Sequence, residues 1–272
     1  MIVRAGFLRR AATAGAGLAL CLMLTACAAL LPRPPGPETA PAVWQAFRER
    51  EERLSANPAD FFIKASLYYT TKERSNRTVL SFWGRLGDAY RLDVQAGVGS
   101  MLAMYREDAG HWLAFYPQDK KAYDHEDPRR ALPALGVNIP FSLSDLCALM
   151  TGRLGALVPK SYRRAEARPN GLAFIFGPGA RLTELTLDRL GRPVALAGGG
   201  TDGTRPFTVA LSGYAGAPDD PADLADRMDM AIPPDETANL LVKNLDYKSE
   251  PWPASALDLP LPPGIETLHL AP

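Results

Sequence analysis

From residue 61 to residue 124 the hydrophobic pattern of the chain repeats every second residue and is broken at short intervals by turn chemistry. FIKASLYYT, TVLSFWGR, YRLDVQ, SMLAMYRE, HWLAFYP and KKAYD follow one another, separated by KERSN, GD, AGVG, DAG and QD. A period of two sends alternate side chains to opposite faces of a strand, and breaks this short allow only antiparallel neighbours. In YRLDV, Tyr90, Leu92 and Val94 take one face while Arg91 and Asp93 take the other. SMLAMY and WLAFY are apolar on both faces, which predicts cover from two sides. Helical pieces follow around 128–135 and over 143–150. The second is opened by Pro140 and the cap candidates Ser142 or Ser144, and closed by Gly152. The strand period then resumes in SYRRAEAR, GLAFIFG, LTELTLD, RPVALAGG, PFTVALSGY, RMDMAI and NLLVKNL. A hairpin over 183–198 turns through Asp188-Arg189-Leu190-Gly191. About a dozen antiparallel strands are too many for a small sandwich. The expected fold is mainly β: a large curved antiparallel sheet or half-open barrel, with helices closing its mouth.

The amino terminus constrains location instead of fold. Arg4, Arg9 and Arg10 precede an uncharged apolar run of 14 residues, 11–24, and then Leu24-Thr25-Ala26-Cys27. This is the layout of a secretory signal, and the run is shorter than the roughly 20 residues a spanning helix needs. The last four residues are similar to the lipobox of bacterial lipoproteins. That similarity implies cleavage before Cys27, acylation of its sulfur and new amino group, and a durable lipid anchor. Ala28, in place of Asp at the second mature position, favours the outer membrane, with the domain on its periplasmic face. The Pro-rich stretch that follows, LLPRPPGPETAPA, reads as an extended tether that builds neither helix nor sheet. Trp44, Phe47 and Leu54 then recur at helical intervals in WQAFREREERL.

Composition excludes several functions. Removing the three leader arginines leaves 27 basic against 30 acidic side chains, so no basic field exists for nucleic acid. Of the three cysteines, Cys21 leaves with the leader and Cys27 is lipidated. Cys147, in FSLSDLCALM, is then a lone thiol that packs as a small hydrophobe. His111, His125 and His269 lack metal-ligand spacing, and Asp124-His125-Glu126-Asp127 reads as a solvated strand-to-helix turn. The glycine run 198–203 has no Lys-Ser/Thr after it and reads as a hairpin tip. There is no G-x-S-x-G elbow. No catalytic residue, cofactor or metal is expected, and the chain is read as a binding protein and a monomer.

One loop stands apart. In Ala96-Gly97-Val98-Gly99-Ser100 two glycines flank a β-branched apolar residue. It is either a tight hairpin needing positive φ at Gly97 or Gly99, with Val98 incidental, or a loop that presents Val98 to something apolar.

The order of features resembles the LolB family of outer-membrane lipoprotein receptors, and divergent LolA/LolB-like lipoproteins more broadly. The lipobox, the helix led by WQAF, KASLYYTTKERSNRTVLSFWGR and YRLDVQAGVGSMLAMY resemble that family's opening elements and protruding loop. PALGVNIPFSLSDLCALMTGRL is similar to its lid helix, and RMDMAIPPDETANLLVKNL to its closing hairpin. The likeness covers 44–245. The family carries leucine where this chain has Val98, and it has no counterpart of the extension after Leu245. The resemblance implies a helical lid over an apolar cavity for acyl chains, with Gly97, Val98 and Gly99 as a membrane-insertion loop. Ile63, Leu67, Trp83, Leu92, Val94, Met101, Ala103 and Tyr105 are the expected cavity residues, with Ala65 and Tyr90 beside them. The partners implied are acylated lipoproteins and a LolA-type periplasmic carrier. An alternative function on the same fold is a ligand-sensing or assembly-accessory lipoprotein without transfer activity. The expected plan is a signal peptide over 1–26, a lipidated tether over 27–43, the domain over 44–246 and a packed Pro-rich extension over 247–272.

Overall fold

Strand β1 (Asp60–Thr70) buries Phe61, Ile63 and Ala65 on one face and leaves Lys64 exposed on the other. Each neighbour repeats that alternation, because a strand with one buried face must bring its apolar side chains to the same side. The computed structural model describes residues 36–97, 99–199, 205–217, 220 and 222–271. The leader, Cys27, Val98 and residues 200–203 of the glycine run lie outside the described residues. From β1 the chain winds through β2 (Ser75–Arg85), β3 (Tyr90–Ala96), β4 (Met101–Asp108), β5 (His111–Tyr116) and β6 (Lys121–His125). A second run comprises β7 (Arg164–Arg168), β8 (Gly171–Ile175), β9 (Leu182–Leu187) and β10 (Pro193–Gly198). It ends with β11 (Phe207–Ser212), β12 (Arg227–Ile232) and β13 (Glu236–Lys248).

The two runs form one sheet because β1 pairs along its whole length with β13, from Asp60 opposite Lys248 to Thr70 opposite Thr237. With β14 (Thr267–His269) the order is β14-β6-β5-β4-β3-β2-β1-β13-β12-β11-β10-β9-β8-β7, a 14-stranded curved sheet that does not close into a barrel. Among the described residues every pairing is antiparallel except β14 on β6.

The helices that precede β7 sit on the inner face. Helix α1 (Ala40–Ser55) seats Trp44 against Phe47, Tyr162 and Phe174, with ring centroids 5.4, 5.2 and 5.1 Å away. It corrects the expectation of an unstructured tether reaching residue 43. A 3-10 turn over Pro37–Thr39 leads directly into helix at Ala40. Pro41 is tolerated because the first helical turn leaves its N–H groups unpaired anyway. Helices α2 (Pro128–Ala134) and α3 (Leu143–Thr151) span the expected pieces. Gly152 ends α3 in the left-handed region at φ 69°, where a side chain would be strained. Cys147 is buried on α3, and burial pushes its thiol well up, consistent with an inert packing role.

On α1, Glu51 is buried facing the backbone of Leu154 and Gly155, and one carboxylate oxygen has no hydrogen-bond partner among the described residues. Burial raises its pKa from 4.5 to about 7. Between those values the folded chain holds a proton that the unfolded chain has lost, so stability falls as pH rises through this window. Glu51→Gln is expected to remove that fall. The stability gap between variant and native chain should widen between pH 5 and pH 8, by on the order of 3 kcal/mol at most. Urea unfolding at the two pH values measures it, and an unchanged gap would contradict the assignment.

After β13 the chain crosses the outer face of β1–β6. The Trp252 indole N–H donates to Phe61 O at 3.1 Å and its backbone N–H to Asp60 Oδ1 at 2.8 Å. Helix α4 (Ala254–Leu257) follows, and three successive carbonyls are captured in turn. Ala256 O accepts from Trp83 Nε1, Leu257 O from Arg106 Nε and Asp258 O from Arg91 Nη1. Leu259 then packs on Phe115 and Ala122, beside Met104 and Leu113. The strands apolar on both faces are therefore covered twice, by the core within and by this strap without.

Candidate functional site

Between the inner face of the sheet and the α2–α3 segment lies a cavity of about 500 Å³. Leu67, Leu80, Leu92, Val94 and Tyr105 form one wall, from β1–β4. Val209, Met228, Met230, Ala238 and Leu240 form the other, from β11–β13. Leu132, Val137, Ile139, Leu143, Leu146 and Leu149 form the roof. Apart from Asn76, Arg77 and Thr78 the lining is apolar or tyrosine. The Tyr105 hydroxyl is paired with that of Tyr116 at 3.1 Å, and burial pushes its pKa well up, so it stays neutral.

The roof is held by charge. Ser142 and Asp145 form a reciprocal capping box at the start of α3. The Asp145 carboxylate is 3% exposed and accepts from Arg181 at 2.5 and 2.7 Å, and from Arg129 at 3.3 and 3.4 Å. Burial alone would raise its pKa, but hydrogen bonds and charge from Arg181, then Ser142 N–H and Arg129, hold the carboxyl below its usual range. Buried Glu107 accepts from the backbone N–H groups of Leu143 and Ser144, at 2.5 and 3.1 Å, completing the helix cap. The loop ahead of α3 is fastened at Glu236, which accepts from Tyr69 O–H, from Asn138 Nδ2 at 2.6 Å and from Arg205 Nη1 at 3.1 Å. Burial, then the Glu236 carboxylate, raises the Tyr69 pKa to about 12.

Of the expected cavity residues, Leu67, Leu92, Val94 and Tyr105 line the space together. Ile63 and Ala103 are on the same face but closed into packing, at 0% and 3% exposure. Two expectations are corrected. Trp83 faces outward, its ring under the Arg91 guanidinium at 5.3 Å and its indole N–H bonded to the strap. In SFWGR the inward position belongs to Phe82, and the β1 pairing Ile63 to Phe82 decides it. Met101 pairs with outward-facing Gln95, because a β-bulge between Val94 and Gln95 makes Leu102 the extra residue that reaches the cavity.

The roof is the segment expected as a helical lid, but its lining residues Leu143, Leu146 and Leu149, like Met228 and Met230 of β12 and Leu240 of β13, are not among the expected cavity residues, although the alternation in RMDMAI and the 143, 146, 149 spacing carry the signal. The loop at Ala96 starts from the cavity wall. Gly99 N–H donates to Ala96 O at 2.8 Å, Ala96 N–H donates to Ser100 O at 2.9 Å, and Gly99 has φ 89°. The turn thus requires glycine at 99, while a Cβ at Gly97 would meet open space.

Among the described residues no group of three or more His, Cys, Asp or Glu side chains is placed to hold a metal ion. In the acidic cluster after β6, His125 is buried, not solvated as expected, and accepts from Asp127 N–H at 2.8 Å. Asp127 caps α2, and Asp124 meets His269 of β14 at 3.1 Å.

No protein-family model matches the chain, and no curated protein matches it. Solved structures do. A LolA superfamily protein from Nitrosomonas europaea is 10% identical, covering 79% of this chain and 97% of that one, with TM-score 0.49. A putative outer membrane lipoprotein-sorting protein domain from Vibrio parahaemolyticus is 13% identical, covering 76% and 92%, with TM-score 0.48. A DUF1329 family protein from Desulfovibrio piger is 10% identical, covering 82% and 100%, with TM-score 0.53. At such identity the last likeness is one of fold alone: a mainly β chain built on one large open sheet.

Proposed function

We propose that this chain is a lipid-tethered carrier that holds acyl chains of lipidated cargo at the periplasmic face of the outer membrane and helps receive or insert them. The observation that carries this reading is the apolar cavity between sheet and roof, a lining with little to offer a polar ligand and much to offer methylenes. Each methylene moved into it from water contributes about 0.8 kcal/mol. No covalent chemistry is required: acylated cargo passes from a LolA-type carrier down a gradient of such affinities, and Cys27 keeps the acceptor at the membrane. The Val98 loop, which springs from the cavity wall at Ala96, is the element assigned to enter the bilayer. Burying a valine side chain in lipid is worth roughly 1.5 kcal/mol, enough to bias insertion and too little to anchor.

Val98→Glu is therefore expected to leave the thermal midpoint and acyl-probe affinity unchanged within about twofold, while cutting transfer of a lipidated cargo into liposomes at least threefold. Val98→Leu should match or exceed the native chain. A Val98→Glu chain that unfolds sinks the insertion role. One that transfers normally, in cells whose lipoprotein sorting survives depletion of the protein, moves the function to a sensing or assembly-accessory lipoprotein.

A further inference from the structure

The first run of the sheet is built of hairpins, so every second turn falls at the same end. β1 and β2 turn through Thr71-Lys72-Glu73-Arg74, β3 and β4 through residues 97–100, and β5 and β6 through Pro117-Gln118-Asp119-Lys120. The six strands are consecutive neighbours in the sheet. At the usual strand spacing of about 4.8 Å the three tips therefore span roughly 24 Å. Gln118 Nε2 donates to Met101 O at 3.4 Å, which ties the third tip to the root of the second.

These tips are cationic and unneutralised. Lys72, Arg74 and Lys120, with Arg77 and Lys121 on the adjoining strands, are exposed and form no ion pair among the described residues. By contrast Arg164 and Arg168 pair with Glu166, Arg205 with Glu236 and Arg227 with Asp229. The acids at this end of the first run are Glu73, Asp119 and Glu266, which stands beside Lys121 where β14 joins β6. The turns at its opposite end, 86–89 and 109–110, and the exit from β6 at 126–127 hold Asp88, Glu126 and Asp127 and neither Lys nor Arg. Over the whole chain 30 basic residues balance 30 acidic ones, so it is topology that concentrates positive charge here. Two side chains at this end are unusual. Lys120 has φ 52°, in the left-handed region, where glycine or asparagine carries less strain. Tyr68 is 46% exposed on β1, with the Arg77 guanidinium 5.5 Å from its ring centroid. An amphipathic aromatic of this kind suits the headgroup level of a bilayer.

We propose that this end of the first run is a docking face for the phosphate groups of an anionic phospholipid bilayer. Lys72, Arg74 and Arg77 on one side, and Lys120 and Lys121 on the other, meet the phosphates, while the loop over 96–100 between them meets the acyl region. This role rests on the reading above that the loop enters the bilayer. The flanking cations add two effects that an apolar tip lacks: a preference for anionic lipid, and an orientation that turns Asp88, Glu126 and Asp127 away from the surface. Each cation brought close to an anionic leaflet strengthens binding about fivefold, and salt screens the effect.

The test uses the mature chain with Cys27→Ala, exported behind a leader that is cut without lipidation, so that no acyl anchor masks surface binding. Flotation measures its affinity for vesicles of phosphatidylcholine alone and of phosphatidylcholine with about one-third phosphatidylglycerol, at low salt and at about 0.3 M salt. The expected result is binding at least about tenfold tighter to the anionic vesicles at low salt, a preference lost at the higher salt. Lys72→Gln with Arg74→Gln should cut anionic binding by about tenfold or more and leave the thermal midpoint unchanged. Lys120→Gly should cut it about fivefold while keeping or raising the midpoint, a split that a structural role for this lysine would not produce. Arg130→Gln with Arg189→Gln makes the same change in net charge at the opposite end, and should alter binding less than about twofold. Val98→Glu should weaken binding to both kinds of vesicle, which separates the loop from the cations. Equal affinity for the two kinds would overturn phosphate docking and leave loop insertion standing. Native binding by the Lys72 and Arg74 variant would do the same, and would leave these cations to an acidic protein partner. An equal loss in the Arg130 and Arg189 variant would overturn the assignment to this face, since net charge alone would then explain the preference. Binding to neither kind of vesicle would remove the loop reading and this one together.

Discussion

Val94→Trp is expected to lower the affinity of an acyl-chain probe at least tenfold while leaving the thermal midpoint within a few degrees of the native value. Val94 is half-buried on β3 and faces the space between wall and roof. An indole there fills volume that ligand methylenes would otherwise take. Excluding even two of them forfeits about 1.6 kcal/mol, slightly more than a factor of ten. Filling an existing space carries no overpacking penalty, unlike the same change at Ile63, which is 0% exposed and closed in on all sides. Fluorescence titration and thermal unfolding on the same preparation decide it. Unaltered probe affinity would show that ligand binds elsewhere, and a collapse in stability would show that Val94 is ordinary core.

Asp223→Ala should give the largest loss of stability, about 3–5 kcal/mol, because it strips the partner from buried cations. Asp223 is fully buried; it accepts a hydrogen bond from Arg50 Nη1 at 3.1 Å and forms an ion pair with Arg192, whose Nε lies 2.8 Å away. Arg50 also donates to the Asp223 backbone carbonyl, and both guanidinium groups lie over the Tyr214 ring, at 5.6 and 5.4 Å. Without the carboxylate two positive groups face each other with little water to screen them. Adding Arg50→Met to the variant should recover part of the loss, since an uncharged side chain of similar length removes the repulsion. Urea midpoints at pH 7 measure both. A loss under about 1 kcal/mol would mean that water reaches the cluster and hydrates the arginines.

Much of the architecture was legible in local periodicity. The strands of FIKASLYYT, YRLDVQ and LTELTLD, the α3 segment closed at Gly152, and the hairpin through Asp188–Gly191 all follow from spacing and turn chemistry within a few residues. So did four of the cavity residues, since Leu67, Leu92, Val94 and Tyr105 fall on the faces their alternation predicts. The helical start at Ala40 is not legible in composition, because proline content argues against helix while its position in the first turn makes it neutral.

By itself, then, the sequence determined the strand period, the helix ends and the two-sided apolarity of β4 and β5. These depend on side chains that are neighbours along the chain. Which face of SFWGR is inward, how the bulge at Gln95 brings Leu102 to the cavity, and what covers β4 and β5 from outside were decided only by the tertiary structure. Trp83 turns outward because the pairing with β1 gives the inner position to Phe82, and its indole N–H finds a partner in Ala256, 173 residues away. The charged roof has the same origin: Asp145 is locally a helix-cap residue, and becomes the anchor of the roof only when Arg181 arrives from just before β9. Pairings at such separation leave no trace in the spacing of residues, because they depend on register and closure of the whole sheet and not on the local preferences of either segment.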